Sequence, residues 1–236
     1  MKTIGLIGGM SWESSSLYYE LINKKVKETL GGFHSAPCIL LSVDFAEIER
    51  SFGRDDWDSI AELMVTSAKK LEHAGADLVI LCTNTIHICS DEIIKNITIP
   101  FLHIANATTE KIKAKGLKKI ALLGTKYTME KDFYKDILNA HGIEVLIPDS
   151  KDRETINQII FQELVLGIVK EKSKESYQRI IKSLAMKGAE GVILGCTEIP
   201  LLIKQEDVDI PIFDTTKIHA ERAVEMALEG SISPSV

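Results

Sequence analysis

Short apolar runs alternate along the chain with longer stretches of 3.6-residue hydrophobic period. The runs at 3–7, 38–43, 78–81, 119–123, 144–147 and 192–194 predict strands. Helical periodicity fills most of the intervals, over 14–30, 57–73, 90–95, 108–115, 131–141, 155–169, 173–187 and 217–229. Gly75, Gly116, Gly142 and Gly188 each follow a helical stretch, where a residue tolerant of positive φ stops the helix. Strand–helix alternation with apolar, β-branched strands predicts an α/β fold of mainly parallel sheets flanked by helices.

The pattern repeats. Lys2-Thr3-Ile4-Gly5-Leu6-Ile7-Gly8 resembles Lys118-Lys119-Ile120-Ala121-Leu122-Leu123-Gly124, 116 residues on. Gly75-Ala76-Asp77-Leu78-Val79-Ile80-Leu81 resembles Gly188-Ala189-Glu190-Gly191-Val192-Ile193-Leu194, 113 residues on, and Ile99-Pro100-Phe101 resembles Ile210-Pro211-Ile212, 111 residues on. Three collinear matches at nearly constant offset predict two pseudo-symmetric α/β domains. The join falls near 104–117, giving a first domain over 1–104 and a second over 105–215, with a C-terminal helix over 216–236 folding back on the first.

Composition narrows the class. Of the 236 residues, 45% are hydrophobic and 26% charged, which excludes intrinsic disorder, collagen and disulfide-rich scaffolds. The net charge of −6 without a basic cluster argues against a nucleic-acid surface. No apolar run approaches the ~20 residues of a membrane span, and 4–7 is too short for a signal-peptide core, so no membrane association and a cytoplasmic location are expected. In that setting Cys38, Cys82, Cys89 and Cys196 are expected to be reduced.

Candidate chemistry sits in the second repeat. The 78–81 strand runs into Cys82-Thr83-Asn84-Thr85, and its counterpart into Gly195-Cys196-Thr197-Glu198. Each half thus places a Cys-Thr pair just past the C-terminal end of a strand, where open parallel sheets bind ligands. If the halves face each other about a pseudo-twofold axis, the two thiols flank one cleft. Inverting a carbon stereocentre by proton exchange needs a base on one face and an acid on the other, and a thiol can be tuned to either role. Backbone N–H groups and hydroxyls at Thr83-Asn84-Thr85 and Thr197-Glu198 could hold a substrate carboxylate and the charge that develops on it. Cys38 inside a strand and Cys89 without a repeat partner read as packing residues. A zinc site from Cys82, His87 and Cys89 fits the usual ligand spacings poorly, so no metal is expected. His87 and His103 read equally well as structural residues.

The motifs Gly8-Gly9-Met10-Ser11-Trp12-Glu13-Ser14, Cys82-Thr83-Asn84-Thr85 and Gly195-Cys196-Thr197-Glu198 together resemble the aspartate/glutamate racemase family. So do Ser42-Val43-Asp44-Phe45, Leu123-Gly124-Thr125-Lys126-Tyr127-Thr128-Met129, Glu163-Leu164-Val165-Leu166-Gly167 and Phe213-Asp214-Thr215. The similarity is greatest to the bacterial branch that includes L-aspartate/glutamate-specific and broad-specificity racemases. It implies racemisation of a small amino acid without a cofactor, an active site in the cleft between the two domains, and a homodimer. Cys82 and Cys196 would be the acid/base pair. Thr83, Asn84 and Thr85 would contact the substrate carboxylate, with Met10, Ser11 and Thr125 bordering the site.

The sequence also departs from the family. Arg50, with Arg54 as rival, lies in the region where aspartate racemases of the family grip a substrate carboxylate with an arginine, but Val165 and Leu166, not a lysine, precede Gly167, which leaves room for neutral substrates such as homoserine. Glutamate racemases carry a histidine two residues after the second cysteine, and here that residue is Glu198, which could orient Cys196, bind the substrate amino group or cap a helix. Two alternatives accompany the racemase: an enzyme like maleate cis–trans isomerase with a nucleophilic cysteine, and a non-catalytic amino-acid-binding module.

Overall fold

A computed structural model of the chain describes residues 1–229. The stretch 230–236, the tail of the helix expected over 216–236, lies outside the described residues. The chain divides into two compact units, Met1–Ile104 with the chain from His219 onward, and Ala105–Ile218.

In the first unit β1 (Ile4–Gly8) is the central strand of a parallel sheet between β2 (Cys38–Ser42) and β3 (Leu78–Leu81). Every residue of β1 and β3 is buried, which is why these segments are apolar at each position rather than at alternate ones. The crossovers run through α1 (Trp12–Leu30), α2 (Phe45–Phe52) and α3 (Trp57–His73), and α4 (Ser90–Asn96) follows β3. Ser11, Asp44 and Asp56 cap α1, α2 and α3, each side chain accepting a backbone N–H of the first turn. Ile7, Met64, Ala68, Leu71, Val79 and Ile93 form the centre of its core, each large aliphatic side chain contributing about 1.5–3 kcal/mol by burial.

After α5 (Ile104–Ala114) the second unit repeats the plan with one more strand, in the order β5-β4-β6-β7: β4 (Lys119–Gly124), β5 (Glu144–Leu146), β6 (Gly191–Gly195) and β7 (Ile212–Asp214). All of these pair in parallel. Its helices are α6 (Lys126–Glu130), α7 (Asp132–Ala140), α8 (Ser150–Gln162), α9 (Glu171–Met186) and α10 (Ile199–Leu202). Leu123, Ile156, Tyr177, Ile181, Val192 and Leu194 lie in its core. The last helix, α11 (Thr215–Leu228), enters the first unit at His219, and there Lys2 N–H donates to the Ala227 carbonyl at 2.8 Å.

The sequence repeats correspond to matching hydrogen bonds. Thr3 and Asp77 bond reciprocally, Asp77 N–H to the Thr3 carbonyl at 2.8 Å and Thr3 N–H to Asp77 Oδ2 at 2.6 Å. Lys119 and Glu190 do the same, at 2.8 Å and 2.9 Å. Val79 N–H bonds the Pro100 carbonyl at 2.9 Å, and Val192 N–H bonds that of Pro211 at 2.8 Å. In the first unit this last contact is a single bridge between Val79 and Phe101; in the second it extends into β7.

Several elements differ from expectation. The segments α2, α6, α10 and β7 are too short to show a period, and the caps Asp44 and Thr125 are their main local signal. The helix expected over 155–169 starts earlier and stops at Gln162, because Asp149 caps it by accepting Asp152 N–H at 2.9 Å. At its far end Glu163 leaves the helix, its carboxylate taking Ser173 Oγ at 2.5 Å and Lys170 Nζ at 3.2 Å. A short 3-10 turn over Leu164–Leu166 then ends at Gly167 in the left-handed region, φ 71°.

Candidate active site

The register of β1 and β3 pairs Ile7 with Leu81, so Cys82 emerges beside the loop that leaves β1. Cys82 N–H donates to the Ile7 carbonyl at 2.9 Å. Its own carbonyl accepts the Ser14 hydroxyl at 2.6 Å, tying the start of α1 to the cysteine. Ser15 holds the loop itself: Gly9 N–H donates to Ser15 Oγ at 2.8 Å, and that hydroxyl donates to the Ser11 carbonyl at 2.9 Å. Gly9 has φ 91°, and a Cβ there would strike the backbone of Val43, so only glycine fits. Met10 is buried, and Ser11 half-buried at the helix cap.

After Cys82 the chain turns into a 3-10 segment over Thr85–Cys89. His87 Nδ1 bonds the Thr83 carbonyl at 2.8 Å, while its Nε2 takes Ile104 N–H at 3.2 Å. A carbonyl can only accept, so Nδ1 carries the proton and the ring is neutral. His219 is fixed in the other tautomer: Nε2 donates to the Leu102 carbonyl at 2.9 Å, and Nδ1 takes the Tyr18 hydroxyl at 2.9 Å. His87 packs at 4.6 Å from His103 and 5.7 Å from His219, centroid to centroid. Burial holds all three imidazoles below the ordinary histidine range, His103 at about 3 and His219 at about 4. Through its bonds to Thr83 and Ile104, His87 ties the Cys82 turn to the start of α5.

The second unit builds the corresponding place differently. Gly124 pairs with Gly195 at the ends of β4 and β6, setting Cys196 beside the loop that carries Thr125. Thr125, buried, caps α6 by accepting Thr128 N–H at 3.3 Å. Cys196 lies in the apolar cluster with Leu164, Tyr177 and Ile199. Its Sγ donates to Glu198 Oε2 at 2.9 Å. Glu198 occupies the N-cap of α10, yet its side chain makes no capping bond.

Both sulfurs are buried, Cys82 at 0% and Cys196 at 8% exposure. Burial alone pushes the Cys82 thiol far up; for Cys196 the charge of Glu198 adds to it. Cys38 and Cys89 are likewise raised by burial, Cys89 to about 12. All four cysteines are free thiols.

Thus Met10, Ser11, Cys82, Thr83, Asn84 and Thr85 gather at one end of the first sheet, and Thr125, Cys196, Thr197 and Glu198 at the corresponding end of the second. Arg50 is exposed in the last turn of α2, with Nε donating to the Ala46 carbonyl of its own helix at 3.1 Å. No hydrogen bond or ion pair among the described residues joins it to the Cys82 turn. Leu166, beside Gly167, is 66% exposed. Sequence reasoning missed Ser14 and Ser15 as supports and Tyr177 as a neighbour of Cys196. The serine run Ser14-Ser15-Ser16, unusual inside a helix, was the available signal for the first two. Among the described residues no group of three His, Cys, Asp or Glu side chains is placed to hold a metal ion, and no helix is long and apolar enough to cross a membrane.

Parallel sheets flanked by helices, each with a cysteine turn at the C-terminal end of a strand, define a doubled α/β protein. The family model for Asp/Glu/Hydantoin racemase matches residues 7–223, and the chain belongs to that family. It is 25% identical over 229 residues to the broad specificity amino-acid racemase RacX of Bacillus subtilis (strain 168), covering 95% of this chain and 98% of the relative. Among solved structures it resembles a candidate Asp/Glu racemase from Yersinia pestis, with 52% identity, TM-score 0.93 and coverage of 97% of this chain and 100% of that one. It also resembles an aspartate racemase homologue from Pyrococcus horikoshii OT3, with 38% identity, TM-score 0.84 and coverage of 96% and 99%. The fold further matches that of glutamate racemase from Francisella tularensis, at 17% identity and TM-score 0.70 over 99% of this chain and 84% of that one.

Proposed function

We propose that this chain racemises a small amino acid by two-base proton transfer at Cα, with Cys82 and Cys196 as the bases and no organic cofactor. The observation that carries this is the matched placement of two buried Cys-Thr turns at the ends of β3 and β6, in a chain of the racemase family. One sulfur, as thiolate, takes the Cα proton; the other, as thiol, returns a proton to the opposite face. The electron pair left on Cα spreads into the substrate carboxylate, where backbone N–H groups and the hydroxyls of Thr83, Thr85 and Thr197 can stabilise it. Buried thiols ionise reluctantly, and an amino-acid substrate brings its own ammonium cation, which favours a thiolate beside it.

The substrate class is aspartate, glutamate or a related small amino acid. With the exposed Arg50 bonded inside its own helix and leucine at 166, neutral side chains fall within that class. A homodimer in the cell interior, with no nucleic acid or membrane as partner, completes the reading. The test is chiral analysis of a panel of L- and D-amino acids with the purified chain and no added pyridoxal phosphate. Racemisation is expected for at least one pair, falling by at least about a thousandfold in Cys82→Ala and in Cys196→Ala. Variants that both keep the wild-type rate would refute the mechanism.

A further inference from the structure

We propose that Glu198 is the proton partner of Cys196, a positioning residue that acts through the sulfur; this rests on the two-thiol reading above. Three observations carry it. The Cys196 Sγ and Glu198 Oε2 lie 2.9 Å apart, with the thiol donating. Glu198 makes no capping bond to α10, so helix capping does not account for its carboxylate. The other titratable groups around the sulfur offer no competing acceptor: Glu163, at the end of α8, is engaged by Ser173 and Lys170, and Tyr177 of α9 presents a buried hydroxyl that has no hydrogen-bond partner among the described residues. Burial raises the Tyr177 hydroxyl, and the charges of Cys196 and Glu163 add to it, which places these three groups in one electrostatic neighbourhood. Among the described residues no carboxylate is bonded to the Cys82 sulfur, and its thiol is shifted by burial.

The resting pair is a thiol donating to a carboxylate. For Cys196 to act as base its proton crosses to Oε2: the S–H bond breaks, the pair stays on sulfur and a carboxyl O–H forms. The thiolate then takes the Cα proton, the C–H electrons passing to the substrate. The carboxyl proton leaves to solvent and the resting pair returns. Read backwards, the same step lets Cys196 donate to Cα while Glu198 is protonated, so that no thiolate forms against an ionised carboxylate.

The experiment is steady-state racemisation in both directions, on L- and D-glutamate and L- and D-aspartate first and then on any pair found active, by wild type, Glu198→Gln and Glu198→Asp. Glu198→Gln keeps the shape and loses the proton site. We expect kcat to fall about a hundredfold or more for the enantiomer whose Cα hydrogen goes to Cys196, with a smaller loss in the other direction. Because racemisation has an equilibrium constant of one, kcat/KM falls equally in both directions, and the asymmetry appears as a split between kcat and KM. For the affected enantiomer kcat is expected to be flat across neutral pH in the wild type and to rise about tenfold per pH unit in Glu198→Gln, since the proton must then be lost to solvent. Glu198→Asp, which keeps a carboxylate, should recover part of the rate. Unchanged kcat and pH profile in both directions would overturn the proposal, as would a raised KM at constant kcat, which would place Glu198 on the substrate. If Glu198→Gln fails to fold, Glu198→Ala takes its place, and wild-type kcat and pH profile in that variant overturn the proposal equally. Loss of activity in Cys82→Ala and Cys196→Ala alongside a silent Glu198→Gln would sink the partner role alone; active cysteine variants would sink the two-thiol reading.

Discussion

The two cysteine turns occupy equivalent positions in their units and are supported by opposite means. Cys82 is held by neutral parts: a serine on its carbonyl, a loop glycine against Val43, and the uncharged His87 ring on the Thr83 carbonyl, with His103 and His219 packed against that ring. Cys196 has a carboxylate on its sulfur. The backbone device is alike in the two units and the electrostatics differ, so the fold presents two similar thiols of unequal chemistry. The matched Asp77 and Glu190 bonds show how far the conserved part goes: a different acid, with a longer side chain, meets the same strand-entry N–H.

The comparison can be broken first at its glycines. Gly9→Ala in the first unit meets both a left-handed φ of 91° and the backbone of Val43. It should destabilise the fold by about 3 kcal/mol or more. Gly124→Ala in the second meets the Gly195 carbonyl at 2.8 Å without that φ, and should cost about 1–3 kcal/mol. Urea titration of both variants checks the order; equal losses would mean that the two loops are equally constrained.

A second contrast concerns acid. The imidazoles of His87, His103 and His219 are neutral in the fold and held below their usual range, whereas in the unfolded chain they titrate near 6.5. Below about 6.5 the unfolded chain therefore binds more protons. The first unit has its full stability above that pH and loses it as the pH falls toward the folded values of about 4 and about 3. Each ring removes up to about 1.4 kcal/mol per pH unit. Hydrogen exchange at pH 5 should open the first unit before the second; a first unit as protected at pH 5 as at pH 7.5 would show that the rings are not locked neutral.

Much of this was legible in the sequence. The buried strands β1, β3, β4 and β6 read directly, because a strand covered on both faces is apolar throughout, and the Cys-Thr turns stood out because they recur in register. Segments of three to eight residues, such as α10 and β7, were not legible, since tertiary contacts decide them and no period can form. The supports of Cys82 were hidden for a related reason: Ser14 and the cysteine it holds are 68 residues apart. Glu198 could be read from sequence as a cap, an amine ligand or a sulfur partner, and only the placement of its carboxylate separates these.

The account turns on two monoprotic bases exchanging hydrogen with one carbon, and isotope wash-in tests that most directly. Racemisation started from a single unlabelled enantiomer in deuterium oxide, without pyridoxal phosphate, should give product carrying deuterium at Cα from the first turnovers while unreacted substrate carries almost none, because each thiol serves one face. Product that retains the original hydrogen, or deuterium appearing equally in substrate and product at early times, would contradict it.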